Sequence, residues 1–160
     1  LVEKLRAGHA TTLGAASGAV AGLVAITPCA GFVGGMAPIF IGLIAGAVCY
    51  LALTLKTRFN FDDSLDVIAV HLVGGSIGAL LLGFFSDTKI NSLGFDGVLF
   101  GGGSKLLVNQ LIAIGATFAF SFIVTWVVAK ILDATIGLRV STEDELVGLD
   151  QSQHAESAYQ

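Results

Sequence analysis

The segment "DVIAVHLVGGSIGALLLGFF" at residues 66–85 decides the fold class. After Asp66 it contains no Lys, Arg, Asp or Glu, and about 20 apolar helical residues cross the roughly 30 Å hydrocarbon core of a bilayer. The segment nevertheless carries a histidine, His71, followed by closely spaced glycines. It therefore predicts a transmembrane helix with one titratable side chain at membrane depth.

The composition of the whole chain agrees with this prediction. The chain has 160 residues, of which 54% are hydrophobic and 12% are charged, whereas an ordinary soluble domain is about 25% charged. Lys, Arg, Asp and Glu are absent from residues 7–55, 67–86 and 106–129. We predict an all-α membrane protein, a polytopic helical bundle, because backbone polar groups in lipid must be satisfied within helices.

The uncharged stretches divide into four transmembrane helices, followed by a polar tail at residues 137–160. The spans within region 1–136 are predicted at about 10–26, 33–55, 65–85 and 106–132. One side of the membrane then carries Lys4, Arg6, Lys56, Arg58, Lys130 and Arg139, and the other carries Lys89 and Lys105. Because cytoplasmic loops are richer in Lys and Arg, both termini are expected in the cytoplasm.

Glycine rows in the first three spans predict close helix packing. The rows are Gly14, Gly18 and Gly22, then Gly42 and Gly46, then Gly74 and Gly78. Small residues every four positions let helix backbones approach closely in a membrane. At a period of 3.6 residues His71 shares a face with the third row, so we expect its ring to point toward the bundle interior.

His71 admits two interpretations. Ionisable groups at membrane depth are rare and usually mark a pathway or a proton relay; the alternative is a neutral imidazole making one structural hydrogen bond. Asp66, preceded by Asp62 and Asp63, is expected to cap the helix start, and its five-residue step from His71 does not stack the two side chains.

Several other kinds of site find no support in the sequence. Cys29 and Cys49 lie within uncharged stretches and are interpreted as small apolar fillers. We find no metal-ligand spacing, no nucleotide-binding loop, no basic cluster for nucleic acid and no nucleophile with a visible base. The sequence therefore predicts neither an enzyme nor a bound cofactor or metal.

Three stretches together resemble one family. "LGAASGAVAGLVAITPCAGFVG" (13–34), "DDSLDVIAVHLVGG" (62–75) and "GLRVSTEDELVGLDQSQHAESAY" (137–159) are similar to the C-terminal part of the ammonium transporters of the Amt/Mep/Rh family. The resemblance implies four transmembrane helices of an eleven-span fold, a homotrimer in the plasma membrane and transport of ammonium or ammonia. The chain also starts like the middle of a loop, so we expect a piece of a longer protein.

The resemblance implies roles for four residues near the pore. His71 matches the second of two pore histidines that hydrogen-bond each other. Thr27 matches a threonine near the pore, Val67 a pore-lining aliphatic position, and Asp66 the acid that precedes the histidine. Ammonium would be deprotonated, and ammonia and the proton would follow separate paths. Leu72 departs from the family, since a small residue is expected after the histidine.

The resemblance also implies a regulated cytoplasmic face. Its positions here are Asp62, Asp63, Gly137 and Arg139, and its expected partner is a PII-type signalling protein. Ser141 stands where many family members have Pro, which we expect to loosen the start of the tail. Two alternatives remain open for the chain as a whole: an ammonium sensor of the same fold, and a membrane fragment that conducts nothing.

Overall fold

The computed structural model describes residues 1–60 and 62–157, and the regular secondary structure in these ranges is helical. A short helix, α1 (Val2–Ala7), precedes α2 (Thr12–Ile26), which runs into a 3-10 turn (Thr27–Cys29). The remaining helices are α3 (Ala37–Phe59), a π-helix (Ile68–Val73) continuing into α4 (Gly74–Phe85), a 3-10 turn (Val98–Phe100), α5 (Lys105–Thr135), α6 (Thr142–Val147) and α7 (Leu149–Ser152).

Four helical segments in the described residues are long and apolar enough to cross a membrane. They are Thr12–Cys29, Ala37–Lys56, Ile68–Phe85 and Lys105–Thr135. The predicted fold class, an all-α polytopic membrane protein, is therefore confirmed. The second span begins later than the predicted residue 33, because residues 30–36 form turns and Pro38 stands in the first turn of α3, where its missing N–H costs no hydrogen bond.

The chain divides into two compact units, Leu1–Gly115 and Ala116–Gln160, the second described to residue 157. In the first unit α2, α3 and the third span pack on one another. Its core consists of Ala21, Ala25, Cys29, Ile41, Ala45, Cys49 and Val70. Both cysteines are buried and free, which agrees with their interpretation as small core residues.

Only one of the three predicted glycine rows is a packing surface within the first unit. A Cβ atom placed on Gly78 would lie 2.2 Å from the carbonyl oxygen of Ala25, so the backbones of α4 and α2 touch there. By contrast, nothing lies within 4 Å of the Cβ positions at Gly18, Gly22, Gly42 and Gly46. The prediction that the first two rows are crowded is therefore wrong for these four positions within this unit.

Three of the open glycines, Gly18, Gly42 and Gly46, instead face a groove. Together with Gly14 and with residues of α1, α2, α3 and the start of the third span, they line a cavity of about 580 Å³. Gly14 is the one glycine of the first row whose Cβ position is not open. The carboxylate of Glu3 lies against it and accepts hydrogen bonds from Thr11.

The connection between α4 and α5 is fixed by polar contacts although it is rich in glycine. The buried Ser86 donates to the carbonyl oxygen of Phe95 at 2.6 Å, and the carboxylate of Asp96 accepts from the backbone N–H of Thr88 at 2.7 Å. The second bond lowers the pKa of Asp96. The backbone N–H of Asp87 also donates to Phe32, which ties this connection to the turn before α3.

The tail in the second unit begins with an ordered helix start, contrary to the prediction that Ser141 loosens it. The Ser141 hydroxyl accepts from the backbone N–H of Asp144 at 3.1 Å and donates to its carboxylate at 2.8 Å. Serine is a preferred helix N-cap because its oxygen satisfies an otherwise unpaired N–H group. Just upstream, Gly137 ends α5 in a left-handed conformation, with φ of 80°, and donates to Leu132.

We predict that Gly78→Ala destabilises the first unit by about 1–3 kcal/mol, because overpacking two touching backbones forces them apart. The measurement is the thermal unfolding midpoint of the chain in detergent micelles. Gly18→Ala is the matched control: its Cβ meets open space, and alanine favours a helix by up to about 1 kcal/mol over glycine. Equal midpoints for the two variants would contradict the assigned contact.

Candidate functional site

The third span begins with a π-helix that contains His71. In this winding, Ile68–Val73, the backbone makes a wider turn than in an α-helix, and single π turns occur frequently at functional sites. His71 is exposed on the first unit, whereas Gly74 and Gly78 are buried. Within this unit His71 therefore does not share the buried surface of these glycines, and its orientation toward the interior of a complete bundle stays a prediction.

The exposed face around His71 is otherwise apolar. Val67 and Leu72 are 47% and 43% exposed, and Val67 precedes His71 by four residues, about one helical turn. The intervening Ala69 and Val70 are buried at 2% and 5%. The π-helix therefore packs on α2 and α3 through one side and presents His71 with apolar neighbours on the other.

Thr27 lies in the 3-10 turn at the end of α2. Its hydroxyl donates to the carbonyl oxygen of Leu23 at 2.7 Å, and its side chain is exposed. The same turn packs against α4, where the thiol of Cys29 donates to the carbonyl oxygen of Gly78 at 3.3 Å. Thr27 thus lies beside α4, C-terminal to the π-helix that holds His71.

The helix cap expected of Asp66 is made by Asp63. The two carboxylate oxygens of Asp63 accept hydrogen bonds from the backbone N–H groups of Val67 at 2.9 Å and Ile68 at 2.8 Å. The bond to Ile68, joined by that to Val67 and by the charge of Lys56, lowers the pKa of Asp63. A carboxylate at a helix start satisfies unpaired N–H groups and complements the helix dipole.

Asp66 instead forms an ion pair with Lys56 at the end of α3. The Lys56 Nζ atom lies 2.5 Å from Asp66 Oδ1, with side chains 26% and 28% exposed, and it also donates to the backbone carbonyl oxygen of Asp63. Asp66 has a left-handed backbone, with φ of 57°. The prediction that Asp66 caps the span through its side chain is wrong because Lys56 occupies that carboxylate.

The remaining predicted positions are Asp62, Gly137 and Arg139. Asp62 is exposed in the turn just before Asp63. Gly137 and Arg139 belong to the second unit, where Arg139 is exposed between α5 and α6. The predicted tail motif ends at Tyr159, which lies outside the described residues. Within the described ranges, no group of three or more His, Cys, Asp or Glu side chains is placed to hold a metal ion.

Two features of the site escaped the sequence interpretation. The sequence places Lys56 at the end of an apolar span, which is an ordinary position for a cation, and nothing marks it as the partner of Asp66. The π turn has no recognised residue signature in "IAVHLV". The ion pair depends on how α3 and the third span meet, and a hydrophobic period read from one sequence reveals neither the pair nor the π turn.

Comparisons with known proteins match nearly the whole chain. A family model described as the Ammonium Transporter Family matches residues 1–159. An ammonium transporter of Bacillus subtilis is 49% identical over 161 residues, covering 100% of this chain and 40% of that protein. The ammonium transporter Amt1 of Archaeoglobus fulgidus is 50% identical over 152 residues, covering 95% of this chain and 38% of that protein.

Solved structures support the same relationship. The crystal structure of Mep2 from Saccharomyces cerevisiae matches with a TM-score of 0.77 at 37% identity, over 89% of this chain and 33% of that one. A Mep2 mutant from Candida albicans matches with a TM-score of 0.78 over 98% of this chain and 37% of that one. The chain thus spans roughly two fifths or less of the length of these relatives.

We predict that Asp63→Asn lowers the stability of the chain at neutral pH and flattens its dependence on acid. Because folding lowers the pKa of Asp63, its contribution is complete above the unfolded value of about 3.9 and is lost as the pH falls through the folded value. The measurement is the unfolding midpoint in micelles from about pH 7 down to pH 3. Asp62→Asn, which removes the same charge one position earlier, is the control; identical acid profiles for the parent and Asp63→Asn would contradict the cap.

Proposed function

This chain belongs to the ammonium transporter family, and we propose that the protein it forms part of moves ammonium or ammonia across the plasma membrane. The observation that carries the proposal is the match to ammonium transporters at 49–50% identity over 95–100% of the chain. Since the chain spans only 38–40% of those proteins, the activity is proposed for the complete protein.

The proposed mechanism separates the proton from ammonia. An isolated ion is expensive to place in a low-dielectric path, whereas ammonia is small and neutral. Imidazole can donate and accept protons near neutral pH. We therefore assign His71 as a proton relay that takes part in deprotonating ammonium, with ammonia passing through a narrow apolar pore.

The surroundings of His71 favour this assignment. Its ring lies on an exposed face beside Val67 and Leu72, and the opposite side of the π-helix carries the packing. An ionisable side chain on an otherwise apolar face in a membrane protein faces a pathway or a partner group more often than lipid. In the proposed protein this face borders the pore, Val67 lines it, and Thr27 and Asp66 support it.

The proposed assembly is a homotrimer with the C-terminus in the cytoplasm. The topology rests on the excess of Lys and Arg on the side that carries the N-terminus, the α3 end and the tail. We propose that Asp62, Asp63, Gly137 and Arg139 lie on this cytoplasmic face and take part in regulation through a PII-type protein. The exposed residues of the tail, including the acidic first turn of α6, suit docking of a soluble partner.

A second candidate is a membrane fragment that inserts and conducts nothing. The share of the relatives that the chain covers, 38–40%, favours it for the chain by itself. The gene sequence upstream of the codon for Leu1 distinguishes the two. A continuous reading frame with further spans and a second histidine supports the transporter; a start codon at this point supports the fragment.

We predict that His71→Ala in the complete protein reduces the ammonium-evoked current at least tenfold, because the relay loses its only exchangeable group at this position. The measurement is current in proteoliposomes, normalised to the amount of protein. His154→Ala is the control, since His154 is exposed in the tail, and it should retain the parental current. An unchanged current in His71→Ala would defeat the proposed role.

We predict that a PII-type protein co-purifies with the complete protein and that truncation after Arg139 abolishes this binding. The truncation removes α6 and α7 but leaves α5 and its terminal Gly137 in place. Ammonium-evoked current in the truncated protein shows that the pore itself is still formed. Retained binding after truncation would place the docking surface elsewhere.

A further inference from the structure

We propose that Lys56 is a positioning residue for His71: by binding Asp63, which caps the third span, and Asp66, which directly precedes it, Lys56 sets the rotation of the π-helix that carries the imidazole. The consequence for transport rests on the proposed function, but the effect on the position of the ring does not. The inference rests on contacts at the junction between α3 and the third span.

The first step is the two-point contact of the Lys56 ammonium group. It forms the ion pair with Asp66 and donates to the backbone carbonyl oxygen of Asp63. The two side chains of the pair are about three-quarters buried, at 26% and 28% exposure. Charged pairs that are largely shielded from water are much less weakened by salt and solvent than surface pairs. Lys56 therefore fixes the spacing between Asp63 and Asp66.

The second step links these two residues to the π-helix. The N–H groups of Val67 and Ile68 donate to the carboxylate of Asp63. The N–H group of Val70 donates to the carbonyl oxygen of Asp66 at 2.9 Å. Three backbone N–H groups at the start of the span thus donate hydrogen bonds to Asp63 and Asp66, the two residues that Lys56 binds. The first N–H groups of a helix have no acceptor within it, and the bond from Val70 to Asp66 is the first i→i−4 bond of the span. The oxygens of Asp63 and Asp66 therefore determine how the helix begins.

The third step concerns the backbone of Asp66. Its φ of 57° lies in the left-handed region, which residues with a side chain visit rarely and which Asp and Asn adopt more readily than most, so surrounding contacts help to hold it. Here the contacts are the Lys56 pair and the turn in which the Asp66 N–H donates to Asp63. Without the ammonium group, Asp66 is a largely buried carboxylate that has lost its ion-pair partner, and relaxation of its backbone relieves that state.

The fourth step is the geometric consequence for His71. The π winding carries the exposed His71 and leads directly into the helix that holds the buried Gly74 and Gly78. If the start of the span relaxes, residues 68–73 can adopt ordinary α-helical winding while Gly78 remains fixed against Ala25. The imidazole then rotates about the helix axis. A proton relay depends on its donor and acceptor being within hydrogen-bond reach. A rotation of this kind therefore moves the imidazole out of reach of the groups with which it exchanges protons.

The test uses the complete protein with four variants. Lys56→Met removes the charge and keeps most of the side-chain volume, Lys56→Arg keeps a donor to both acceptors, and Asp66→Asn removes the other half of the pair while asparagine tolerates the left-handed backbone. Arg58→Met is the matched control, because it removes the same charge two residues further along α3. It also lowers the number of positive charges on that side of the membrane by the same amount.

The first readout is the rate at which diethyl pyrocarbonate modifies His71, measured by peptide mass spectrometry. His9 and His154 in the same molecule are internal standards, since both are exposed. We expect Lys56→Met and Asp66→Asn to change the rate at His71 at least threefold and the rates at the other two histidines not at all. Lys56→Arg and Arg58→Met should match the parent.

The second readout is the ammonium-evoked current per transporter. We expect Lys56→Met to lower the maximum current about tenfold with little change in the half-saturating ammonium concentration, and Lys56→Arg to restore at least half of it. A purely structural role would lower the amount of protein in the membrane and leave the current per transporter intact, which would overturn the proposal.

The two readouts separate this proposal from the proposed function. If the parent carries no ammonium-evoked current, the transport function fails, and the modification rates alone decide the role of Lys56. An unchanged rate at His71 in Lys56→Met or in Asp66→Asn overturns the proposal. If both variants fail to reach the membrane, the pair is a requirement for folding, and the positioning role is overturned as well.

Discussion

The contact between the backbones of α4 and α2 at Gly78 and Ala25 is the constraint on which the arrangement of the first unit depends. No side chain fits between them, since a Cβ at Gly78 would lie 2.2 Å from the Ala25 carbonyl oxygen. In a membrane the lipid tails are as apolar as leucine, so helices associate through dispersion contacts at close range. The nearby bond from Cys29 to the Gly78 carbonyl oxygen adds a direct polar link between the two helices.

A second constraint operates at the other end of the third span. The N–H groups of its first turn must find acceptors as the chain enters an apolar environment. Asp63 supplies two and the Asp66 carbonyl oxygen supplies one, while Lys56 connects both residues to α3. The close packing at Gly78 therefore fixes where the span lies. The hydrogen bonds and the ion pair at Asp63 and Asp66 fix how its first turns are wound.

The open glycine rows show that small residues serve different surfaces in one chain. Gly74 and Gly78 are buried between helices, whereas Gly18, Gly42 and Gly46 line a groove of about 580 Å³. The same spacing in sequence thus gives a packed contact in one span and an open surface in two others. Which outcome applies depends on the direction in which each helix is turned, and the repeat itself does not encode that direction.

The all-helical membrane class, the four apolar segments, the polar tail and the family are all visible in the linear pattern of residues, because hydrocarbon imposes a length and a composition that this pattern records directly. The pattern also identifies His71 as the polar group at membrane depth. The pattern does not show which side His71 faces, that Asp63 and not Asp66 makes the cap, or that Lys56 pairs with Asp66; these features emerge when the helices pack. Each depends on the π turn and on contacts between α3 and the third span, and these arise when residues distant along the chain compete for the same backbone N–H groups and carboxylates.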